Sequence, residues 1–130
     1  MAKIEKIAAK SVYDPPTYSQ AIRVSGAQTV VFVAGQVPYD KKGGAAHPGD
    51  FKAQAREVFR SVVAQVKAAG GSVQSIVKIN SYVTDIRYRA DFTTIRQEVF
   101  AGRLPASTLV QVVALAHPDW MIEVEAIAVI

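Results

Sequence analysis

The sequence of 130 residues contains no cysteine. This absence excludes a disulfide scaffold, a thiol nucleophile, an iron–sulfur cluster and the usual cysteine-containing structural zinc sites. Charged residues make up only 20% of the chain and apolar residues 50%, which excludes a disordered protein. The length suits a single domain over residues 1–130, and the high apolar content favours burial of apolar surface between subunits.

Long apolar runs are also missing. No stretch approaches the ~20 uncharged apolar residues of a transmembrane helix, and charges interrupt the N-terminal residues too often for a signal peptide. We therefore expect a cytoplasmic protein that does not interact with a membrane. The two histidines, His47 and His117, lie far apart beside prolines with no metal-ligand spacing around them, so no metal site is expected.

The motifs of several enzyme classes are absent. The chain lacks a G-x-x-x-x-G-K-[ST] phosphate loop, a G-x-G-x-x-G turn after a strand and a G-x-S-x-G serine elbow. A net charge of +4 permits an acidic partner, but the basic residues are scattered rather than interleaved with aromatic residues. The sequence therefore does not favour a nucleic-acid-binding surface.

Hydrophobic periodicity predicts two helices and five strands. Apolar residues at helical spacing indicate a helix over residues 50–69, with Asp50 as its N-cap. A second helix is predicted to begin at Asp85 and to end at Gly102. The predicted strands are residues 21–25, 30–34, 76–84, 108–115 and 121–130.

The order of these elements predicts an α+β fold. We expect a β-β-α-β-α-β-β protomer with two helices on one face of a mixed sheet. Residues 21–25 and 30–34 are expected to form a hairpin, and the apolar run 30–34 is expected to be buried on both faces. The sheet face without helices is expected to be rich in Val, Ile and Ala, so oligomerisation is the natural way to cover it.

Five short segments, in order along the chain, resemble signatures of the Rid/YjgF family, also called the L-PSP endoribonuclease-like family. They are Tyr-Ser-Gln-Ala at 18–21 ("P-Y-S-Q-A"), Ala-Gly-Gln-Val-Pro at 34–38 ("S-G-Q-I-P"), Ala-Ala-Gly at 68–70 with Ile-Val-Lys at 76–78 ("A-A-G…D-I-V-K"), Pro-Ala at 105–106 ("P-A-R") and Glu-Val-Glu-Ala-Ile-Ala at 123–128 ("E-I-E-A-I-A"). The resemblance extends from Tyr18 to the C-terminus.

The resemblance implies a chorismate-mutase-like protomer and a homotrimer that binds a small molecule in a cleft at each subunit interface, without a cofactor. The best-known members hydrolyse imines and enamines to a keto acid and ammonia. This chemistry needs a positioned water, a group that manages its proton and a clamp for the substrate carboxylate. In the family the clamp is an arginine, whose planar guanidinium donates two parallel hydrogen bonds.

At the clamp position this sequence has Ser107, which donates one hydrogen bond and carries no charge. We expect Arg96, at the position of a family asparagine, or Arg103 to bring a positive charge into the cleft in its place. The same comparison implies that Tyr18 binds substrate and that Glu123 is the catalytic carboxylate.

The remaining matches concern the surroundings of the site. Ser107 and Thr108 follow a proline bend, where the backbone and hydroxyl groups can receive an anionic ligand. The resemblance implies structural roles near the site for Gly35 and Pro105, with Ala34 at the position of a family serine.

Each candidate also has a purely structural interpretation. Glu123 and Glu125, two residues apart, can be solvated or ion-paired carboxylates on a strand. Tyr18 can pack under a loop, Ser107 can cap a strand, and Arg96 can lie solvated on a helix surface. For the whole protein, the alternatives to an imine hydrolase are a non-catalytic ligand-binding trimer and, least favoured, an RNA-cleaving or RNA-binding protein.

Overall fold

The computed structural model describes residues 2–130. A two-stranded antiparallel sheet precedes a four-stranded mixed sheet, and two helices pack on one face of the larger sheet. In chain order the elements are β1 (Lys3–Ile7), β2 (Ala21–Ser25), β3 (Val30–Gln36), α1 (Phe51–Ala68), β4 (Ile76–Val83), α2 (Arg89–Val99), β5 (Ala106–Gln111) and β6 (Ile122–Val129).

The larger sheet has the strand order β3–β6–β4–β5. β6 runs antiparallel to both of its neighbours, whereas β5 runs parallel to β4. Parallel neighbours need a long crossover, which α2 supplies here. β3 and β5 are therefore the two edges of the sheet, and the starts of β3, β4 and β5 lie at one end of it.

The two faces of this sheet differ in polarity. Alternate residues of β6 are buried in the core against the helices, whereas Glu123 and Glu125 between them lie half-buried on the opposite face. The same alternation in β4 places Asn80 and Tyr82 beside these carboxylates. The helix-free face thus carries a row of polar groups along its two central strands, where the sequence predicts a face rich in Val, Ile and Ala; exposed residues of that kind, Val30 and Val110, lie on the edge strands.

The predicted helix over residues 50–69 is confirmed as α1. The Asp50 carboxylate accepts a hydrogen bond from the Ala53 amide at 3.1 Å, and Gly70 has a φ of 94°, a left-handed conformation that ends the helix. The apolar side of α1 packs into one core with α2 and the larger sheet. Within residues 2–130, neither helix combines the length and the apolar character needed to cross a bilayer.

The expected hairpin between residues 21–25 and β3 is wrong. β2 pairs instead with β1, a strand that the sequence did not predict because its charges mask the alternation. Ile4 faces Val24 across this pair, and the Glu5 carboxylate accepts a hydrogen bond from Arg23 Nε at 3.1 Å. Cross-strand pairs of this kind decide which strands join, and they are not visible in either strand alone.

The expectation that residues 30–34 are buried on both faces is also wrong. β3 is an edge strand whose Val33 faces the core, whereas the Val30 and Phe32 side chains are 51% and 77% exposed. A continuous apolar run does not distinguish an edge strand from a central one.

The second helix begins later than predicted. Asp85 caps a short 3-10 turn over Ile86–Tyr88 by accepting a hydrogen bond from the Arg87 amide, and α2 begins at Arg89 without a side-chain cap. Its neighbour β5 occupies Ala106–Gln111 rather than residues 108–115. The bounds of β5 follow from its parallel alignment with β4, which the sequence of β5 alone does not show.

Trp120 is buried at the end of the last loop. Its ring packs edge-on against Tyr39 at 5.2 Å between centroids. The buried Gln54 amide holds the same loop by donating to the Asp119 carbonyl and accepting from the Met121 amide, each at 2.8 Å. These contacts hold the start of β6 in place.

Candidate functional site

A cavity of about 570 Å³ opens at the edge strand β5, between α2 and the segment that leads into β2. This segment is tied to the start of β5. Ser19 donates its backbone amide to the Pro105 carbonyl at 3.1 Å and its hydroxyl to the Leu104 carbonyl at 2.6 Å. The cavity is lined by Thr17, Tyr18, Gln20, Lys78, Ile86, Arg89, Thr93, Arg96, Ser107, Thr108 and Leu109.

Four of the residues predicted to bind substrate line this one cavity: Tyr18, Arg96, Ser107 and Thr108. Arg96 Nη1 donates a hydrogen bond to Ser107 Oγ at 2.9 Å. The central guanidinium carbon also lies 5.2 Å from the centroid of the Tyr18 ring, within the range of a cation–π contact. The Arg96 guanidinium therefore lies directly beside the side chain at the family's clamp position.

Arg96 is buried rather than solvated, with 4% of its surface exposed. Its Nε has no hydrogen-bond partner among residues 2–130. Burial lowers the pKa of the guanidinium, the Tyr18 hydroxyl opposes this effect, and the nearby Arg89 cation adds to it. Arginine stays charged at neutral pH, so this cavity contains a desolvated cation with spare donor capacity.

No carboxylate neutralises Arg96. Among the described residues, no Asp or Glu lies within ion-pair distance of Arg96, Arg89 or Lys78, the three cations that line the cavity. A buried cation without a counter-ion is unfavourable, and binding of an anion relieves this penalty. The electrostatics of the cavity therefore suit an anionic ligand.

Arg103, the other candidate for the displaced charge, does not line this cavity. It lies half-buried in the loop after α2, where burial lowers its pKa and its Nε and Nη2 have no partner among residues 2–130. Ala34 lies on β3, at the opposite edge of the sheet. Of the two arginines that the sequence offers as carriers of the displaced charge, only Arg96 lines the cavity.

Glu123 lies directly over Gly35. A Cβ atom added to Gly35 would lie 2.0 Å from Glu123 Oε2, so only glycine leaves room for this carboxylate. The pairing of β3 with β6 shifts register between Val33 and Gln36, which places Gly35 at the irregularity. The glycine of the Ala-Gly-Gln segment is therefore required by the position of Glu123.

Glu123 and the Arg96 cavity do not meet within one chain. β4 separates β6 from β5, so the two backbones are about 10 Å apart, two strand spacings. Glu123 is the cross-strand neighbour of Tyr82 in β4, and it does not line the cavity. The candidate catalytic carboxylate and the candidate binding residues therefore form two separate groups on one protomer.

The sequence patterns did not single out Lys78, Tyr82 or Arg89. Lys78 Nζ donates to Thr108 Oγ1 at 3.2 Å, a contact set by the parallel pairing of β4 and β5. The Tyr82 hydroxyl donates to the Glu125 carboxylate beside Glu123. The alternation along β4 indicates in the sequence that Lys78 and Tyr82 share one face of the strand. The residues that they contact depend on the strand order, which the sequence does not show.

Tyr82 titrates late because of this contact. The hydrogen bond to Glu125 raises the pKa of the phenol, burial raises it further, and the negative charges of Glu125 and Glu123 act in the same direction. Because the pKa of Tyr82 is higher in the folded protein, the protonated phenol contributes its full stabilisation below about pH 10, the pKa of tyrosine in an unfolded chain. This contribution is lost as the pH rises through the folded pKa.

We expect Tyr82→Phe to remove the latest-ionising component from an alkaline absorbance titration of the tyrosines. Tyr13→Phe, which changes an exposed side chain, serves as the control and should leave that component in place. A late component that persists in the Tyr82→Phe protein would show that Glu125 does not hold the phenol proton.

A groove of about 450 Å³ between the two helices is a less suitable site. Two of its charged residues, Arg56 and Glu98, lie 3.6 Å apart and neutralise each other. None of the predicted site residues lines it. In the described part of the chain, no three His, Asp or Glu side chains cluster closely enough to hold a metal ion.

The order of strands and helices defines an α+β protein of the chorismate-mutase-like class. The family model for endoribonuclease L-PSP matches residues 10–130. A RutC family protein of Pyrococcus horikoshii is 39% identical over 111 residues, which cover 85% of each chain. A second RutC family protein, from Pyrococcus abyssi, is 38% identical over 85% of this chain and 84% of its own. The chain belongs to the Rid/YjgF family, also called the L-PSP endoribonuclease family.

Solved structures agree with this assignment. The Rid family protein YyfB of Yersinia pestis aligns over 98% of each chain with a TM-score of 0.89, and at 24% identity this match supports the fold alone. RidA of the Antarctic bacterium Psychrobacter sp. is 33% identical over 96% of this chain and 94% of its own, with a TM-score of 0.72. Escherichia coli TdcF with bound serine is 33% identical over 92% and 91%, with a TM-score of 0.71. The predicted family and fold class are confirmed.

Proposed function

We propose that this protein is a hydrolase that acts on a small imine or enamine bearing a carboxylate and releases ammonia. The observation that supports this function is the position of Arg96. Its buried guanidinium donates to Ser107 Oγ at 2.9 Å, beside the position where the family has its arginine clamp. The charge is retained although the residue that carries it has moved from β5 to α2.

The reaction needs little from the protein beyond positioning. Water adds to the electrophilic imine carbon, and the resulting carbinolamine expels ammonia and leaves a carbonyl group. Arg96 holds the substrate carboxylate, and the hydroxyls of Tyr18 and Thr108 orient the reacting end of the molecule. Glu123 accepts a proton from the attacking water and returns it to the departing nitrogen.

A homotrimer completes the site. Glu123 lies on β6 and does not line the Arg96 cavity at the β5 edge of the same protomer, so neither group alone contains a full set of catalytic parts. The half-buried polar row on the helix-free face and the exposed Phe32 beside it suit a subunit interface. In this arrangement the partner subunit's Glu123 faces the cavity, and the ligand binds between two subunits.

The activity is tested with 2-imino acids generated from amino acids by an oxidase in the presence of semicarbazide. An active enzyme hydrolyses the imine before the trap reacts, so semicarbazone formation falls while ammonia release continues. If the rate of imine decay in a broad panel equals that of uncatalysed hydrolysis, the protein is not a deaminase.

The shared site predicts complementation between two inactive variants. Co-expression of Arg96→Asn with Glu123→Gln should restore about a quarter of wild-type activity, because random mixing forms one intact site in four. Mass spectrometry identifies the mixed trimers. Co-expression of Arg96→Asn with Arg96→Gln is the control and restores none. If mixed trimers form without recovery, Arg96 and Glu123 do not act across one interface.

One observation favours a second candidate, a ligand-binding trimer without catalysis. No carboxylate or imidazole lines the Arg96 cavity within one chain, so the cavity by itself can bind an anion but cannot transfer a proton. This candidate predicts calorimetric binding of 2-oxo acids with no acceleration of imine decay. The semicarbazide competition separates it from the hydrolase.

A further inference from the structure

The cavity contains more positive charge than one carboxylate requires. We infer that its natural ligand carries a second anionic group, a carboxylate or a phosphate, which binds Arg89 and Lys78 while the first carboxylate binds Arg96. This inference rests on the proposed function for the role of Arg96, and it adds the class of ligand.

The geometry of α2 supports two separate anion positions. Arg89, Thr93 and Arg96 occur at positions i, i+4 and i+7, so all three lie on one face of the helix, and all three line the cavity. Seven residues along a helix correspond to about 10 Å between the two arginine Cα atoms. This spacing suits a ligand with anionic groups a few bonds apart.

The two arginines also differ in environment. Arg96 is almost completely buried, whereas Arg89 is exposed at the start of α2. A single carboxylate that accepts hydrogen bonds from the buried Arg96 leaves the outer cation unpaired. A second anionic group nearer the opening would neutralise Arg89 as well.

Lys78 adds a third cation from the opposite wall. It projects from β4 on the helix-free side, and its Nζ is held 3.2 Å from Thr108 Oγ1 at the cavity lining. Cations therefore reach the cavity from both sides of the β5 edge. The cavity lining contains no Asp or Glu to neutralise them.

Arg87 provides a contrast within the same segment. Its Nε donates to Oδ1 of Asp85 at 3.0 Å and its Nη2 donates to Oδ2 at 2.6 Å, and Arg87 does not line the cavity. Arg89, two residues later, has no such partner among residues 2–130. Of these two arginines, therefore, only Arg89 lines the cavity and lacks a carboxylate partner among the described residues.

Isothermal titration calorimetry with the full-length protein tests this inference. The probes are 2-oxoglutarate, 3-phosphonopyruvate and 5-methyl-2-oxohexanoate, in which an isopropyl group replaces the second carboxylate of 2-oxoglutarate. At physiological ionic strength we expect at least one dianion to bind about tenfold or more tightly than the monoanion, given two additional cations. Arg89→Gln and Lys78→Gln should each reduce this preference severalfold, and Arg87→Gln should leave it unchanged.

Equal affinities for dianions and monoanion would overturn the inference. An equal loss of preference in the Arg87→Gln control would also overturn it, because that result indicates a general effect of net charge. The stronger of the two dianions identifies the second group as carboxylate or phosphate. Calorimetry does not require turnover, so a preference without imine hydrolysis refutes only the proposed function, and hydrolysis without a preference refutes only this inference.

Discussion

Arg96→Asn should weaken binding of a 2-oxo acid, the product of imine hydrolysis, about 100-fold. The variant loses two charge-assisted hydrogen bonds in a desolvated cavity, worth together about 3 kcal/mol, and 1.4 kcal/mol corresponds to a factor of ten. The substitution removes an unpaired buried cation but also its hydrogen bond to Ser107 and its contacts with the Tyr18 and Phe92 rings, so we expect the free energy of unfolding to change by no more than about 1 kcal/mol. Titration calorimetry measures the affinity, and urea denaturation at fixed protein concentration measures the stability.

Relocation of the charge provides the decisive control. The double variant Arg96→Asn/Ser107→Arg returns the arginine to the family's clamp position and should recover affinity to within about tenfold of the wild type. Ser107→Ala alone removes one hydrogen bond that is not made to the ligand carboxylate, and we expect a change of less than about tenfold. A double variant as weak as Arg96→Asn would show that Arg96 does not replace the clamp.

Gly35→Ala should lower the rate of imine hydrolysis about 100-fold or more. The added Cβ would lie 2.0 Å from Glu123 Oε2, so the carboxylate has to move away from its observed position. General acid–base catalysis contributes roughly 10²- to 10⁴-fold, and it depends on the placement of the group that transfers the proton. The clashing atoms belong to the end of a flexible, half-buried side chain that can move aside, so the fold should lose only about 1 kcal/mol or less. Semicarbazide competition measures the rate and urea denaturation the stability.

A second substitution distinguishes the two effects of Gly35→Ala. Gly35→Ala/Glu123→Ala removes the clash and should recover most of the stability, but it should remain as inactive as Glu123→Ala. Binding of a 2-oxo acid at Arg96 should persist in the double variant, since its cavity is unchanged. Full activity in either Gly35→Ala or Glu123→Ala would refute the role of the carboxylate.

The local elements of this fold could be predicted from the sequence where a single segment contains the whole signal. The stripe of α1 and its Asp50 cap belong to one helix, and the Rid family signatures are contiguous, so both were recognisable. The pairing of β2 with β1 could not be recognised in the sequence, because it depends on contacts between two strands whose alternation is weak.

The candidate site shows the same limit. The sequence suggested two carriers of the displaced charge, Arg96 beside the apolar stripe of the second helix and Arg103 just before Pro105. Only the packing of α2 against β5 reveals that Arg96 reaches Ser107. Lys78 reaches the cavity through the parallel pairing of β4 with β5, and Arg89 reaches it from the same face of α2 as Arg96, so neither position was visible in the sequence alone.

The burial of Arg96 without a carboxylate partner has a consequence for the evolution of this site. Within residues 2–130 the cation has no carboxylate partner, and one hydrogen bond to Ser107 with contacts to the Tyr18 and Phe92 rings offsets only part of its desolvation, so its charge opposes folding while it favours ligand binding. Selection for stability alone would replace it with an apolar residue of similar size. The buried position of Arg96 in the cavity lining therefore lowers the stability of the fold in exchange for recognition of an anion.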